Sequence, residues 1–326
     1  MAREDNATPP TTLAFSHATF AKLTPKAYLQ AHLQNADTVR PNNRKPGQFR
    51  DVAINTGSLA NSNGSAVVRL GDTAVVCGVR AEILATSDMP MPPNNIADDD
   101  LVQHLGLLVP NLELSTGCSP AHLPGNPPSG LAQSLTWRLR ALLNTTGLVA
   151  IDELRIQYEQ PALEDDDDGP KLVTKAYWTL YLDILCMSLD GSCFDAAWIA
   201  LLAALQGTKL PKAAWDPDRE TILCSPRAEE ALPLRLSSLP VASTFAAFTT
   251  ASPLRDPALA ENWTLADPDA FEEDACSEFV TITTGEVDIA RIEKSGGSVL
   301  STTQVRHCIS SAVQRRKDVV SLLARK

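Results

Sequence analysis

The sequence predicts an α/β fold with mixed sheets, in which two strand-rich halves carry packed helices. Three observations support it: β-rich runs bounded by turn residues, apolar side chains repeating every three or four residues in several segments, and a hydrophobic content of 44% in 326 residues. A chain of this length and apolar content buries a sizeable core. We expect a flexible arm at residues 1–22, a first half at 23–210 and a C-terminal half at 211–326.

The first half is expected to begin with a helix and a small antiparallel meander. A Thr-Pro start and the apolar residues Tyr28, Leu29 and Leu33 predict an amphipathic helix over residues 24–37. Gly71-Asp72 fits a tight hairpin turn. The predicted meander has three strands, at residues 52–54, 66–70 and 73–79.

Long loops, strands and two helices are expected in the remainder of the first half. Leucines on one face predict a helix that ends at Gly147, and apolar residues between Phe194 and Leu205 predict another that ends at Gly207. The predicted strands are at residues 105–109, 149–158 and 173–189. An acidic run, EDDDDG, separates the last two.

The C-terminal half is expected to repeat this combination of strands and helices, with shorter strands and one long helix. A hairpin around Thr284-Gly285 and a last helix at residues 302–324 are expected. The predicted strands are at residues 221–223, 232–236, 241–248 and on both sides of the hairpin turn, within 278–293.

Composition excludes several classes of protein. The net charge of −11 opposes a large nucleic-acid footprint, because neutralising phosphates needs lysine and arginine. No apolar run is long enough to span a membrane, and the first residues lack a secretory pattern, so we expect an intracellular protein without membrane contact. Seven cysteines without a close CxxC pair indicate mostly buried thiols rather than a disulfide framework or a zinc site.

No catalytic residue, metal ligand or cofactor site is predicted. The five histidines have no nucleophile paired with them locally, and neither a Walker motif nor GxGxxG is present. The acidic runs at residues 98–100 and 164–168 lack the spacing of an EF-hand. Repulsion between adjacent carboxylates favours solvated loops at both places.

Basic residues cluster in three places. Arg138 and Arg140, and the run at residues 315–317, are interpreted as ordinary charged outer faces of helices. The third cluster lies in the polar turn RPNNRKPGQFRD, residues 40–51, which we call the first turn. It is the more suggestive of RNA contact, because a loop with Pro, Gly and several cations can direct them toward RNA. The predicted contacts to RNA or to a neighbouring chain are Arg40, Arg44, Lys45 and Arg50.

Four segments together carry a likeness to a known family. Residues 40–83 read RPNNRKPGQFRDVAINTGSLANSNGSAVVRLGDTAVVCGVRAEI. Later segments read LDGSCFDAAWIALLAALQGTKLP at 189–211, LPVASTFAAF at 239–248 and EKSGGSVLS at 293–301. These residues resemble the RNase PH family over most of 36–320, and within it the exosome ring subunits.

The resemblance implies an RNase PH-like fold in a six-membered ring of related chains around an RNA channel. It also implies S1 and KH cap proteins, associated hydrolytic ribonucleases, and a location in the nucleus, the nucleolus and the cytoplasm. In phosphorolytic members, acidic residues precede a hydrophobic-Pro step. Aligned with that stretch, Ser225 and Ala231 occupy the acidic positions, which implies a non-catalytic subunit.

Two other functions stay open at this stage. Glu229 and Glu230 lie next to the aligned positions, so the chain could be an active phosphorolytic 3′ to 5′ exoribonuclease. Phosphate binding by residues 115–130 is not expected, because this loop has no arginine. The third hypothesis is a free-standing adaptor that recruits basic proteins through its acidic loops.

Overall fold

The computed structural model describes residues 16–35, 37–89, 97–120, 122–123, 125–161, 171–250, 260–297 and 299–325. The helices are α1 (His17–Leu23), α2 (Pro25–Leu33), α3 (Asp98–His104), α4 (Gly130–Thr146), α5 (Ile151–Leu154), α6 (Cys193–Gln206), α7 (Ala270–Ala275) and α8 (Thr302–Leu323). The strands are β1 (Val52–Thr56), β2 (Gly64–Leu70), β3 (Thr73–Ala85), β4 (Leu108–Leu114), β5 (Arg155–Gln160), β6 (Lys171–Ser188), β7 (Lys209–Leu210), β8 (Ala213–Asp216), β9 (Thr221–Cys224), β10 (Leu232–Pro233), β11 (Val241–Thr249), β12 (Asn262–Ala266), β13 (Glu278–Thr284) and β14 (Ile289–Ser295).

The first sheet has six strands built around the long strand β6. Its order is β1-β2-β3-β6-β4, and β5 pairs with another part of β6. All pairs are antiparallel except β4 with β6, which is parallel. Helix α6 packs against β2 and β3, and α4 packs against β4.

Helix α6 lies inside the molecule. It contacts the first sheet and also β11 of the second sheet, and residues 193–205 are all buried. Its sequence explains this position, because a helix that is apolar on all sides is stable only where every side is covered. The predicted helix over these residues is confirmed.

The second sheet has the order β12-β11-β13-β14, and every pair in it is antiparallel. Helix α8 covers one face, where Cys308 and Ala312 pack with Phe245. Helices α2 and α7 cover the other face, where Leu29 and Leu33 pack with Phe248. Two short two-stranded sheets, β7 with β10 and β8 with β9, complete the described strands.

Gly64, at the start of β2, lies directly against the end of α6. A Cβ atom added at Gly64 would lie 2.6 Å from the carbonyl oxygen of Ala204 and would overlap the hydroxyl of Thr208. No side chain fits there unless the helix moves away from the strand. The glycine therefore permits direct contact between strand and helix.

The predicted fold class is confirmed, and the predicted hairpins and longer helices are present. Three expectations were wrong in position or type. Helix α1, whose N-cap Ser16 accepts from the Thr19 amide, occupies the end of the predicted arm. The strand expected at 105–109 begins at Leu108, because α3 and its last turn occupy the preceding residues.

Two further differences concern short helices and strands. Residues 151–154 form α5 instead of a strand, with Asp152 and Glu153 in its first turn, where acidic side chains favour a helix. The strand expected at 232–236 is limited to β10, and β8, β12 and α7 were not predicted. The acidic run 164–168 lies outside the described residues, and the boundaries between arm and halves stay predictions.

Among the described residues, no helix is both long enough and apolar enough to cross a membrane.

Candidate functional site

Arg40, the first of the predicted contact residues, lies in the protein interior. The loop between α2 and β1 closes on itself there, because the Arg40 amide donates to the Arg44 carbonyl at 2.9 Å. The Arg40 side chain is fully buried and forms a 3.1 Å ion pair with Glu272. It also donates to the carbonyl oxygens of Pro46 and Ala266 at 2.5 Å each. The structure thus places Arg40 away from any surface where RNA could reach it.

Arg50 is bound by the carboxylate of Asp267. Its Nε and Nη2 donate to the two carboxylate oxygens at 2.9 and 2.7 Å, and its backbone amide donates at 2.9 Å. Two parallel bonds to a carboxylate are a strong form of arginine pairing. Burial alone would raise the pKa of Asp267, but the hydrogen bonds and charge of Arg50 hold it below its usual value.

Asp267 has a left-handed backbone, with φ of 52°, in the turn between β12 and α7. Its backbone amide donates to the Thr244 carbonyl, and its buried carboxylate faces the loop before β1. Left-handed conformations are uncommon for residues other than glycine, and asparagine and aspartate adopt them most readily. The turn thus directs an acidic side chain toward Arg50.

Arg44 and Lys45 lie nearer the surface than Arg40. Arg44 donates to the Asp267 carbonyl at 3.0 Å and to its carboxylate at 3.3 Å, and its side chain is 12% exposed. Lys45 is exposed, and its backbone amide donates to the Gln48 side chain. We call Arg40, Arg44, Arg50, Asp267 and Glu272 the arginine cluster. Contact of Arg44, Lys45 or Arg50 with RNA or a neighbouring chain stays a prediction.

A second acidic group lies at the N-terminal end of α6. The Ser192 amide donates to Glu273 at 2.7 Å, and Thr244 donates to Asp195 at 2.7 Å from both its amide and its hydroxyl. Burial, together with the nearby charge of Asp195, raises the pKa of Glu273 to about 7 against the opposing hydrogen bond from the Ser192 amide. Burial also raises the pKa of Asp195, against the hydrogen bonds from Thr244.

Sequence reasoning missed these carboxylates, although two signals pointed to them. Asp269 and Glu272 have the spacing of a capping box, and the structure contains that box at the start of α7. Asp195 stands alone in the apolar segment CFDAAWIALLAAL, where a carboxylate must be buried and hydrogen-bonded.

The residues proposed from the alignment lie apart from both acidic groups. Glu229 and Glu230 are in a single 3₁₀ turn, Ala228–Glu230, just before β10. Glu229 is exposed, and Glu230 pairs with Arg227 at 3.2 Å. Neither belongs to the arginine cluster.

The helical arginines differ from one another. Arg138 pairs with Glu293 at 3.0 Å and lies over the ring of Phe194 at 4.1 Å, whereas Arg140 is exposed as predicted. The prediction of an outer face was wrong for Arg315, which is 6% exposed and donates to the Arg50 carbonyl at 3.0 Å. Its guanidinium lies 4.4 Å from the ring centre of Phe49, so it helps to hold the first-turn loop.

Five of the seven cysteines are buried, as predicted, whereas Cys118 is partly exposed and Cys224 is exposed. Within the described ranges, no three His, Cys, Asp or Glu side chains are grouped so that they could hold a metal ion.

Comparison with known proteins gives consistent matches. The model of the RNase PH, or 3′ exoribonuclease, family, domain 1, matches residues 48–211. The protein called exosome complex component rrp43 of Schizosaccharomyces pombe is 36% identical, and the match covers 92% of this chain and 95% of the relative. Exosome complex component Rrp42 of Methanothermobacter thermautotrophicus is 27% identical, with coverage of 87% and 89%.

Solved structures show the same fold. A chain of the Archaeoglobus fulgidus exosome with RNA bound to the active site has a TM-score of 0.65 at 24% identity, covering 91% of this chain and 96% of that one. Rice Rrp46 has a TM-score of 0.53 at 14% identity, covering 88% and 98%.

The predicted family is thereby confirmed, and so is a closer likeness within it. The motifs Val109-Pro110-Asn111, Asn126-Pro127-Pro128 and VASTFAAF resemble ribosomal RNA-processing protein 43, and the relative from Schizosaccharomyces pombe is named exosome complex component rrp43. With a family model over half of its length and a relative 36% identical over 92% of it, this chain belongs to the RNase PH family.

Proposed function

We propose that this chain is a non-catalytic structural subunit of an exosome core ring. It scaffolds 3′ to 5′ RNA processing and degradation, including ribosomal RNA maturation and messenger RNA turnover, and lines the RNA channel. The observation that carries the proposal is the end-to-end match to a relative named as an exosome component, at 36% identity.

The contacts that the carboxylates already make support the absence of catalysis. Asp267 and Glu272 neutralise Arg50 and Arg40, and the Glu273 carboxylate accepts from the Ser192 amide at the start of α6. Phosphate groups commonly bind at helix N-termini, where amides and the helix dipole attract them. At this terminus, phosphate would meet the carboxylates of Glu273 and Asp195.

The proposed partners follow from the family. They are the other RNase PH-like subunits of a six-membered ring, S1 and KH cap proteins, hydrolytic ribonucleases, and RNA in the shared channel. The proposed location is the nucleus and nucleolus, with a further population in the cytoplasm.

Native purification tests the structural role. A tagged copy would be isolated from its own cells, and its partners would be identified and counted by mass spectrometry. Recovery of five other RNase PH-like chains and the cap proteins in equal amounts is expected. Recovery as a monomer would favour the adaptor hypothesis, and recovery as a homo-oligomer would reopen the enzyme hypothesis.

The second candidate function is phosphorolytic 3′ to 5′ exoribonuclease activity. It is supported by Glu229 and Glu230, which lie close to the aligned acidic positions Ser225 and Ala231. It predicts phosphate-dependent shortening of RNA with release of nucleoside diphosphates. The purified ring would be assayed with and without inorganic phosphate. Activity lost on replacing Glu229→Ala and Glu230→Ala together would establish this function, whereas activity unchanged by the double replacement would assign it to another residue or another chain.

A further inference from the structure

Strand β4 and helix α4 border a groove with a volume of about 340 Å³. β4 is an edge strand of the first sheet, and α4 packs beside it. We call this the β4–α4 groove. The lining residues used below are Asn111, Pro128, Gln133, Thr136, Trp137 and Arg140.

Trp137 is the most exposed large aromatic side chain at the groove, with 64% of its surface accessible. The leucine stripe of α4 faces the core, and Trp137 falls outside that stripe. Arg140 is exposed and lies three residues further along, so it shares the helix face of Trp137. An indole ring and a guanidinium group thus lie next to each other at the surface.

Arg140 differs from its neighbour Arg138 in its contacts. Arg138 is neutralised by Glu293, but none of the ion pairs between described residues includes Arg140. None of the described residues that line the groove is acidic, and Glu113, next to the groove, accepts from the Asn111 side chain at 3.4 Å. The uncompensated charge favours an anionic ligand over an apolar segment of protein.

The free edge of β4 is closed to an added strand. Pro110 has no amide hydrogen, and the Leu112 amide donates to the Thr136 hydroxyl at 3.2 Å. An extended peptide binds a sheet edge mainly through backbone hydrogen bonds. With these two positions unavailable, the groove is a poor site for an extended peptide.

We propose that the β4–α4 groove binds one nucleotide unit of single-stranded RNA, an inference that rests on the proposed function. The base stacks on Trp137, and the phosphate pairs with Arg140. Asn111 and Gln133 supply amide groups to the base edge, and Gln133 also donates to Pro128 at 2.9 Å, which fixes that wall. Aromatic stacking combined with cations is the usual chemistry of single-strand binding.

Fluorescently labelled oligoadenylate and oligouridylate would test this groove on the purified complex and on the full-length chain. Trp137→Ala should weaken binding roughly tenfold, because one stacked base is lost. Arg140→Ala should lower the dependence of affinity on salt by about one unit of slope. Leu131→Ala, which removes another exposed apolar side chain of α4, and Arg306→Ala, which removes an exposed cation of α8, should leave binding unchanged.

Ultraviolet crosslinking supplies the second readout, because other chains of a complex also bind RNA. The expected result is an RNA adduct on the tryptic peptide of the wild-type chain that ends at Arg138. Unchanged affinity in both variants together with no adduct on this peptide would overturn the inference. So would a variant that binds RNA normally but no longer enters the complex, since the groove would then be a protein contact.

Failure of the proposed function can be distinguished from failure of this inference. If the wild-type chain is recovered without RNase PH-like partners, the ring proposal fails. Binding of RNA by that free chain, weakened by Trp137→Ala, would still support the groove. A complete ring whose RNA binding and crosslinks are unaffected by both variants would leave the ring proposal in place and remove the groove.

Discussion

The arginine cluster and the β4–α4 groove use the same residue type in opposite ways. In the cluster, Arg40 is buried and Arg50 nearly so, and each is held by a carboxylate from the C-terminal half. In the groove, Arg140 is exposed and none of the described ion pairs includes it. The first-turn cations Arg40 and Arg50 are therefore engaged within the chain, whereas Arg140 on α4 has no ionic partner among the described residues.

The difference comes from the cost of burying charge. A buried arginine is tolerated only when a carboxylate and carbonyl oxygens replace the water that it loses. Removing one partner leaves the charge of the other buried and uncompensated. An exposed arginine keeps its water and can exchange it for phosphate at little cost. The number of cations in a segment thus predicts ligand binding poorly until their partners are known.

Breaking the cluster at Asp267 should have the largest effect. Asp267→Ala removes the two-bond carboxylate partner of Arg50 and leaves it only the 3.3 Å contact with the Asp190 carboxylate. We expect a loss of about 3–5 kcal/mol in the free energy of unfolding. Urea denaturation of the full chain measures it. Asp51→Ala, which removes an exposed carboxylate beside the same loop, should change stability by no more than about 0.5 kcal/mol. Equal effects of the two changes would show that the Asp267 contacts add nothing.

The two arginines of α4 give a sharper comparison within one helix. Arg138→Ala removes the pair with Glu293 and the contact with Phe194, so we expect a loss of about 1–2 kcal/mol. Arg140→Ala should cost no more than about 0.5 kcal/mol. Thermal unfolding of both variants would contradict the distinction if Arg140→Ala were the more destabilising.

Glu273 should make stability depend on pH in the neutral range. Its pKa is about 7 in the folded chain and near 4.3 in an unfolded one, so the folded chain binds more protons between these values. Stability contributed by this group is therefore complete at low pH and falls as pH rises from about 4 to 7. Glu273→Gln should flatten that part of the profile. An unchanged slope in the variant would exclude Glu273 as its source.

The smallest effect is expected at Lys45. Its side chain is exposed, so Lys45→Ala should leave the free energy of unfolding within about 0.5 kcal/mol of the wild-type value. The same variant in the purified complex shows whether this lysine contacts RNA. A lower salt dependence of RNA binding would indicate a phosphate contact, whereas unchanged binding would remove Lys45 from the predicted contacts.

Local patterns predicted those parts of the fold that depend on local sequence. Leu135, Leu139 and Leu142 recur with helical spacing and are buried along α4. The apolar run of α6 predicted a helix, and Gly71-Asp72 predicted the β2–β3 turn. Short helices of four to six residues, such as α5 and α7, were missed, because so few residues show little apolar periodicity.

The arginine cluster could not be predicted in the same way. Arg50 and Asp267 are 217 residues apart and Arg40 and Glu272 are 232 apart, so no local pattern connects them. Their pairing depends on the packing of the first-turn loop against the end of β12. The exposure of Trp137, in contrast, can be predicted from local sequence, because this residue lies outside the leucine stripe of its own helix.

Gly64 has a consequence for how the molecule opens. Because no atom separates this end of β2 from the last turn of α6, neither element can loosen without the other. Amide protons of β2 and of the end of α6 should therefore exchange with solvent as one cooperative unit. A methyl group at residue 64 would force the two apart, and exchange in both should accelerate together while the second sheet keeps its protection.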